Sequence, residues 1–309
     1  MGAPSGLRLR SAAEAYLPGL ALLACLWGSS YPFMREGVKH AGPAALIDGR
    51  LLLASPLLLA YAASRVGGVR QLWAGLRRWW QPCLVLGVFN VGVPYASICW
   101  AERHIDSGTA AIANSAVPIF TVLLAIRFQK AEMASAWRWV GLGIGFTGVA
   151  LLVGLNPSGG AMGVAGALTV VGASVLYAAS SIYARKRLVD ASGPVLAAGS
   201  VAVGALLLIP LAALELPDAT PVAGTWVSLV GLALLGTVGA QVVYFGMLPR
   251  HGAARMTMVA YCIPIVSVAI GAVWLKEAIT WVKVGGLVLV LVGVALGSGV
   301  VEPRRMIRR

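Results

Sequence analysis

Apolar residues run along this chain in ten long stretches, at 17–35, 43–64, 80–101, 107–128, 136–154, 162–184, 194–214, 224–248, 253–275 and 281–300, with short polar breaks between them. A helix crosses the hydrocarbon core of a bilayer in roughly 17 to 25 residues, so each stretch is long enough to span. Only a helix or a closed barrel pairs every backbone group there, since an unpaired one costs several kcal/mol. Barrel strands alternate apolar and polar positions, whereas these runs are continuous, and that predicts helices.

The pattern repeats at half the chain length. Laid over 107–154, the stretch 251–299 places Pro264 on Pro118 at an offset of 146 residues, and Glu277 on Glu132, Gly286 on Gly141 and Gly293 on Gly148 at 145. Earlier in each half, Cys25-Leu-Trp-Gly-Ser-Ser30 falls on Val175-Leu-Tyr-Ala-Ala-Ser180 at an offset of 150, and Gly42-Pro43 on Gly193-Pro194 at 151. Five spans is an odd number, so a second copy enters the membrane from the opposite side. The expected organisation is therefore two inverted five-helix repeats, 1–154 and 155–309, joined near 155–161. That connection is too short to separate domains, so both halves are expected to share one bundle.

Composition fits this picture. With 59% apolar residues, 38 glycines and 11% charged residues in 309, the chain has far more apolar surface than a soluble core could hide. The net charge of +13 would suggest nucleic acid in a soluble protein, but here it follows the connections. Of 24 Lys and Arg residues, 18 lie on the side of both termini, five lie on the other, and Arg50 lies inside the second span. The positive-inside rule then puts both termini in the cytoplasm. Arg8 and Arg10 before an apolar run imitate a secretory signal, but the run is long, contains Trp27 and Pro32, and reads as the first span. Cys25, Cys83, Cys99 and Cys262 are scattered through apolar runs and read as small core residues.

Leu-Ala-Cys-Leu-Trp-Gly-Ser-Ser-Tyr-Pro-Phe in the first span, an Arg early in the second, Pro118 and Pro264 in the fourth and ninth, and KEAITWVKVGGLVLVLVGVAL at the end are the relevant motifs. Together they resemble the EamA-type transporters of the drug/metabolite transporter superfamily. The resemblance implies an all-α polytopic membrane protein of ten transmembrane helices, in two inverted five-helix repeats around a central cavity. Metabolite or amino-acid export is a frequent activity of that family. The turns at Lys276-Glu277 and at 129–132 depart from the commonest pattern, and no function is placed on them.

Polar groups at membrane depth are the candidates for chemistry, because each needs a partner or water. Asn90 and Asn114 stand four residues before Pro94 and Pro118, whose missing N–H groups free the Asn carbonyls. Such a place either binds a solute or stitches a kink to a neighbouring helix, and Pro118 and Pro264 give both halves a place to bend. Trp27, Ser30 and Tyr31 in the first span answer Tyr177, Ser180 and Ser181 in the sixth; Gln241 and Tyr244 share a helix face, and Tyr261 precedes Pro264 by three. Depth along the spans sorts Trp27, Tyr31, Tyr95 and Asn114 to an outer tier, and Tyr177, Ser181, Gln241, Tyr244 and Tyr261 to an inner one. The plainer alternative for each is helix packing. Arg50, seven residues into its span, either binds substrate or snorkels to the outer interface, and Asp48 lies on the opposite face. Glu102, Arg103, His104 and Asp106 read as a solvated outer turn.

No phosphate loop, nucleophile elbow or His and Cys pairing is present, and the three histidines are far apart, so neither a metal nor another cofactor is expected. The reading is an inner-membrane secondary transporter working by alternating access, with a small-molecule substrate and the lipid bilayer as partners and no nucleic acid. Few buried charges favour small neutral or zwitterionic solutes, amino acids first. Alternatives are a multidrug or other metabolite transporter of the same fold, a channel, or a membrane-embedded enzyme. The oligomeric state leaves no mark in the sequence.

Overall fold

The computed structural model describes residues 5–129, 136–155, 160–215 and 222–297, and among these every regular element is helical. Glu132 and most of the connection between the halves lie outside the described residues, as do the C-terminal arginines. Seven helical runs are long and apolar enough to cross a membrane: Tyr16–Gly37, Pro43–Val66, Trp80–Ala101, Ser107–Arg127, Gly160–Arg187, Gly193–Leu214 and Ala223–His251. Trp139–Leu152, Val259–Trp274 and Trp281–Leu296 are shorter apolar helices. Leu22, Leu52, Leu57, Leu206, Trp226 and Val227 are exposed on the outside of the bundle, an apolar coat that only lipid can cover.

Several runs are broken, and the breaks have local causes. The first divides into α1 (Ser5–Gly28) and α2 (Ser30–Gly37). Pro32 has no N–H for the carbonyl of Gly28, and the chain turns there. After α3 (Pro43–Val66) and the short α4 (Val69–Arg78), the third run comprises α5 (Trp80–Leu86), a π-helical turn (Gly87–Gly92) and α6 (Val93–Ala101). Pro94 removes the usual partner of the Asn90 carbonyl, and the ladder widens so that the Val93 N–H reaches Val88 O. The fourth run is split by Pro118 into α7 (Ser107–Asn114) and α8 (Val117–Gln129), with a tightened Ala116 N–H to Ala113 O bond of 3.2 Å between them.

α9 (Ala136–Leu155) follows, and after it come α10 (Gly160–Arg187), α11 (Gly193–Leu214) and α12 (Ala223–Ala233). A second π turn (Leu234–Gly239) leads into α13 (Ala240–His251), α14 (Ala253–Met256), α15 (Val259–Trp274) and α16 (Trp281–Gly297). This π turn lies 147 positions after the first and contains no proline. In both, the closing glycine sits against the carbonyl five residues back: a Cβ on Gly92 would stand 3.1 Å from Gly87 O, and one on Gly239 2.9 Å from Leu234 O. Pro264, by contrast, lies inside an unbroken α15.

The two most extensive pairings are α9 with α16 and α3 with α11. α9 and α16 carry the glycines that repeat in the sequence. A Cβ on Gly148 would stand 2.9 Å from the backbone N of Val290, one on Gly286 would meet the Leu152 side chain, and one on Gly293 would overlap the backbone of Gly145. Without a hydrophobic drive between helices in lipid, such backbone approach supplies the packing. Leu142, Val149, Leu152, Val290 and Val294 fill the seam beside it.

The end predicted to face outward is closed by polar contacts that join early and late elements. Glu277 accepts hydrogen bonds from Ser107 N (2.9 Å), Ser107 Oγ (3.0 Å) and Gly108 N (3.3 Å), and so caps the first turn of α7. Glu215 does the same for α3, accepting from Ala44 N at 2.6 Å. Lys283, only 3% exposed, pairs with Asp106 at 2.7 Å. The expectation of a solvated turn at 102–106 is corrected at Glu102, while Arg103 is exposed and His104 and Asp106 are half-buried. Glu102 is completely buried because Arg35, which donates to its backbone carbonyl, and the Glu277 region close over the end of α6. Neither carboxyl oxygen of Glu102 has a partner among the described residues.

Gly293→Leu should cost about 1–3 kcal/mol of stability or prevent assembly of the bundle, while Gly143→Leu, where a Cβ meets nothing within 4 Å, should be neutral. Thermal unfolding in detergent compares them, and equal effects would contradict the α9–α16 seam. Burial, and then the nearby Glu277 charge, hold the Glu102 carboxyl well above its ordinary 4.5, against the opposing pull of Arg35. A raised carboxyl contributes fully below its unfolded value and loses that contribution as pH rises towards the folded one. Stability should therefore fall from pH 4.5 upward, and Glu102→Gln should flatten the fall and raise the Tm at neutral pH; an unchanged profile in the variant would refute a neutral Glu102.

Candidate substrate site

α3 carries Arg50 into the middle of the bundle, between α6 and the π turn after α12. A π turn shifts the backbone register and aims polar groups sideways, and here they meet the guanidinium. Arg50 Nε donates to Thr237 Oγ1 at 2.8 Å, and Nη2 donates to Gly236 O at 3.3 Å. The Thr237 hydroxyl in turn donates to Leu232 O at 2.9 Å, which fixes its lone pairs towards the arginine. Tyr95 lies flat beneath the cation, 4.2 Å from Cζ to the ring centroid. Arg50 is 3% exposed, so it turns inward and does not snorkel.

Every one of these partners is neutral. Among the described residues the ion pairs are Lys39–Glu36 and Lys283–Asp106, and neither includes Arg50. A guanidinium keeps its charge, so the site holds a fixed positive charge that no acid among the described residues pairs with. Asp48, two residues away, is buried with Oδ1 unpartnered and belongs to the opposite helix face, as its spacing indicates.

A second polar chain runs beside the arginine. Asn114 Nδ2 donates to Tyr31 Oη at 2.8 Å, and Asn114 Oδ1 accepts from Ser174 Oγ at 3.1 Å, joining α2, α7 and α10. Tyr177, one turn beyond Ser174, lies within electrostatic reach of Tyr95, Tyr31 and Arg50. Ser30 is buried with its hydroxyl unpartnered, packed so close to Gly236 that a Cβ there would overlap its Oγ. Gly236 is thus the residue that lets the first run, the π turn and Arg50 converge.

The structure therefore gathers Arg50, Tyr95, Tyr31, Asn114, Tyr177 and Ser30 about one place, and leaves the other candidates apart. Trp27 and Tyr244 meet with tilted rings, centroids 5.7 Å apart, in a cluster with Leu23 and Met256. Tyr261 packs with the α9–α16 seam. Ser181 is exposed, and Gln241 and Asn90 are half-buried, without a side-chain bond to another described residue. Pro94 is buried beneath the first π turn, while Pro118 and Pro264 lie at α8 and within α15. Sorting by depth into two tiers is corrected at two points: Tyr177 joins Tyr31 and Tyr95, and Trp27 joins Tyr244. Tyr177 is ten residues from the end of α10, roughly 15 Å of helix rise.

Thr237 and Ser174 are site residues that sequence reasoning missed. A lone hydroxyl in a membrane helix reads as packing. The one available signal was register, since Thr237 stands 147 positions after Asn90, at the same place in the second π turn.

Known proteins resemble the chain over nearly its whole length. The sequence profile of the EamA-like transporter family matches residues 17–154 and again 164–299. An "Uncharacterized inner membrane transporter YedA" of Escherichia coli is 30% identical over 289 residues, covering 90% of each chain. A "Probable terminal-alkyne amino-acid exporter" of Streptantibioticus cattleyicolor is 29% identical over 280 residues, covering 90% of this chain and 91% of its own. A crystal structure 20% identical in sequence superposes with a TM-score of 0.65 over 95% of this chain and 99% of that one, which shows a shared fold. This multi-pass membrane protein belongs to the EamA-like transporter family.

Proposed function

We propose that the chain is an inner-membrane secondary transporter that exports or exchanges small zwitterionic or neutral solutes, amino acids foremost, by alternating access. The observation that carries the substrate class is Arg50: a buried cation whose described partners, Thr237, Gly236 and Tyr95, are all neutral. Leaving a charge unmatched in a low-dielectric interior costs several kcal/mol, and a solute carboxylate would relieve it. Tyr31, Asn114 and Ser174 offer neutral hydrogen-bonding groups for the rest of such a solute. The relative named as an amino-acid exporter supports this chemistry.

The architecture in this reading is ten helices in two inverted repeats, 1–154 and 155–309, with both termini cytoplasmic. Two features support it. Pairings exchange equivalent elements, the second stretch against the seventh and the fifth against the tenth, and the π turns fall at matched positions. Repeats of this kind give two states of similar energy by rocking about a midplane site. The bonds of Glu277, Glu215 and Lys283 would then hold the outer end shut in the state described.

The test is transport by purified protein in liposomes, comparing amino acids with the amines that lack their carboxylate. Amino acids should be favoured. Arg50→Lys keeps the charge but loses the fork, and should lower amino-acid transport about tenfold or more, from the ~1.5–3 kcal/mol of a charge-assisted hydrogen bond. Equal transport by parent and variant would sink the assignment.

A further inference from the structure

We propose that the groove between α3, α4, α5 and α11 is a binding site for one anionic phospholipid, an acyl chain in the groove and its headgroup on the arginines of α4. The groove has a volume of about 620 Å³, within the range of small-molecule pockets. Its walls are carbon almost throughout, from residues such as Leu59, Ala63, Trp73, Trp80, Cys83 and Ala202. Gly199 forms part of the lining, where a Cβ would stand 2.9 Å from Leu76 Cδ2 and overlap Cys83. An apolar channel of this shape accepts a hydrocarbon chain and offers a polar solute nothing.

α4 supplies the other half of the site. It is a short amphipathic helix at the end predicted to be cytoplasmic. Val69, Leu72, Trp73 and Leu76 line the groove at i, i+3, i+4 and i+7, and buried Leu72 fastens the helix down. At 100° per residue, Arg70 and Arg77 fall together on the flank next to Trp73, with Arg78 further round. All three are exposed, as is Arg65 at the end of α3, and no acidic residue occurs anywhere between Tyr61 and Ala101. Trp73 and Trp80, 59% and 58% exposed, mark the headgroup level, where tryptophan is favoured. Charge and groove thus match the two ends of one amphiphile, anionic above and apolar below.

The fold's internal repetition does not require this feature. The corresponding connection of the second half, 215–222, reads ELPDATPV, with two acids and no base. The sequence of that connection can supply no basic helix, so the basic patch beside the groove belongs to one half, as a dedicated site would and a symmetric scaffold would not.

Two variants separate the groove from general attraction to the membrane surface. Ala202→Trp fills the groove and leaves every arginine; Arg70→Gln/Arg77→Gln/Arg78→Gln removes the exposed charges and leaves the groove. Native mass spectrometry of protein released from vesicles of phosphatidylglycerol mixed with phosphatidylcholine reads the lipid retained. The parent should keep one phosphatidylglycerol, favoured by roughly tenfold or more over phosphatidylcholine. Each variant should lose that retention while eluting as a monodisperse peak. Retention unchanged in Ala202→Trp would mean surface electrostatics alone, and no preference for phosphatidylglycerol in the parent would mean ordinary boundary lipid; either overturns the proposal. If Ala202→Trp does not fold, Ala60→Phe, where α3 lines the groove, replaces it with the same two outcomes.

Discussion

A guanidinium buried in a helical bundle, with no ion pair to an acid among the described residues, is the constraint around which the middle of this protein is arranged. Solvating it without a counter-ion takes several neutral groups at once. A regular helix has none to spare, because its carbonyls are paired. The π turn at Leu234–Gly239 breaks that economy and presents Gly236 O and the Thr237 hydroxyl to Arg50. Tyr95 closes the remaining face with its ring. Gly236 has to be glycine for Ser30 to approach, so the break in the first run and the π turn depend on one contact.

Around this centre the bundle uses two kinds of adhesive. Along the α9–α16 seam it is backbone approach through Gly145, Gly148 and Gly293, the form of packing that works where lipid competes equally for apolar side chains. At the closed end it is charge on helix termini, with Glu277 on α7 and Glu215 on α3. The first kind is insensitive to hydration, while the second weakens as water enters. In the alternating-access reading proposed above, the α9–α16 seam would persist while the capped end opens.

How much of this was legible beforehand varied with the kind of residue. Continuous apolar runs marked the helices. The repeated glycines at 141, 148, 286 and 293 marked the internal repeat, while the backbone contact they permit is visible only in coordinates. Pro118 marked a real break, but Pro264 did not, since a helix in a bundle absorbs one lost hydrogen bond when its neighbours hold it. Arg50 stood out as a lone base in a span, yet its partners did not, because threonine and serine have the same look in a packing contact and in a site. Glu102 misled most: a cluster of charges reads as solvated, yet its carboxyl is buried and its carbonyl is bonded by Arg35, which lies far away in sequence.

Whether solute carboxylates reach Arg50 can be observed without transport. With ¹⁵N-labelled arginine, the guanidinium signal absent from Arg50→Lys is that of Arg50, and its shift reports direct contact. A site built on an unmatched cation predicts that this signal moves, saturably, when an amino acid is added, and stays in place with the corresponding amine lacking the carboxylate. A signal that does not move at saturating concentrations of a transported amino acid would contradict it.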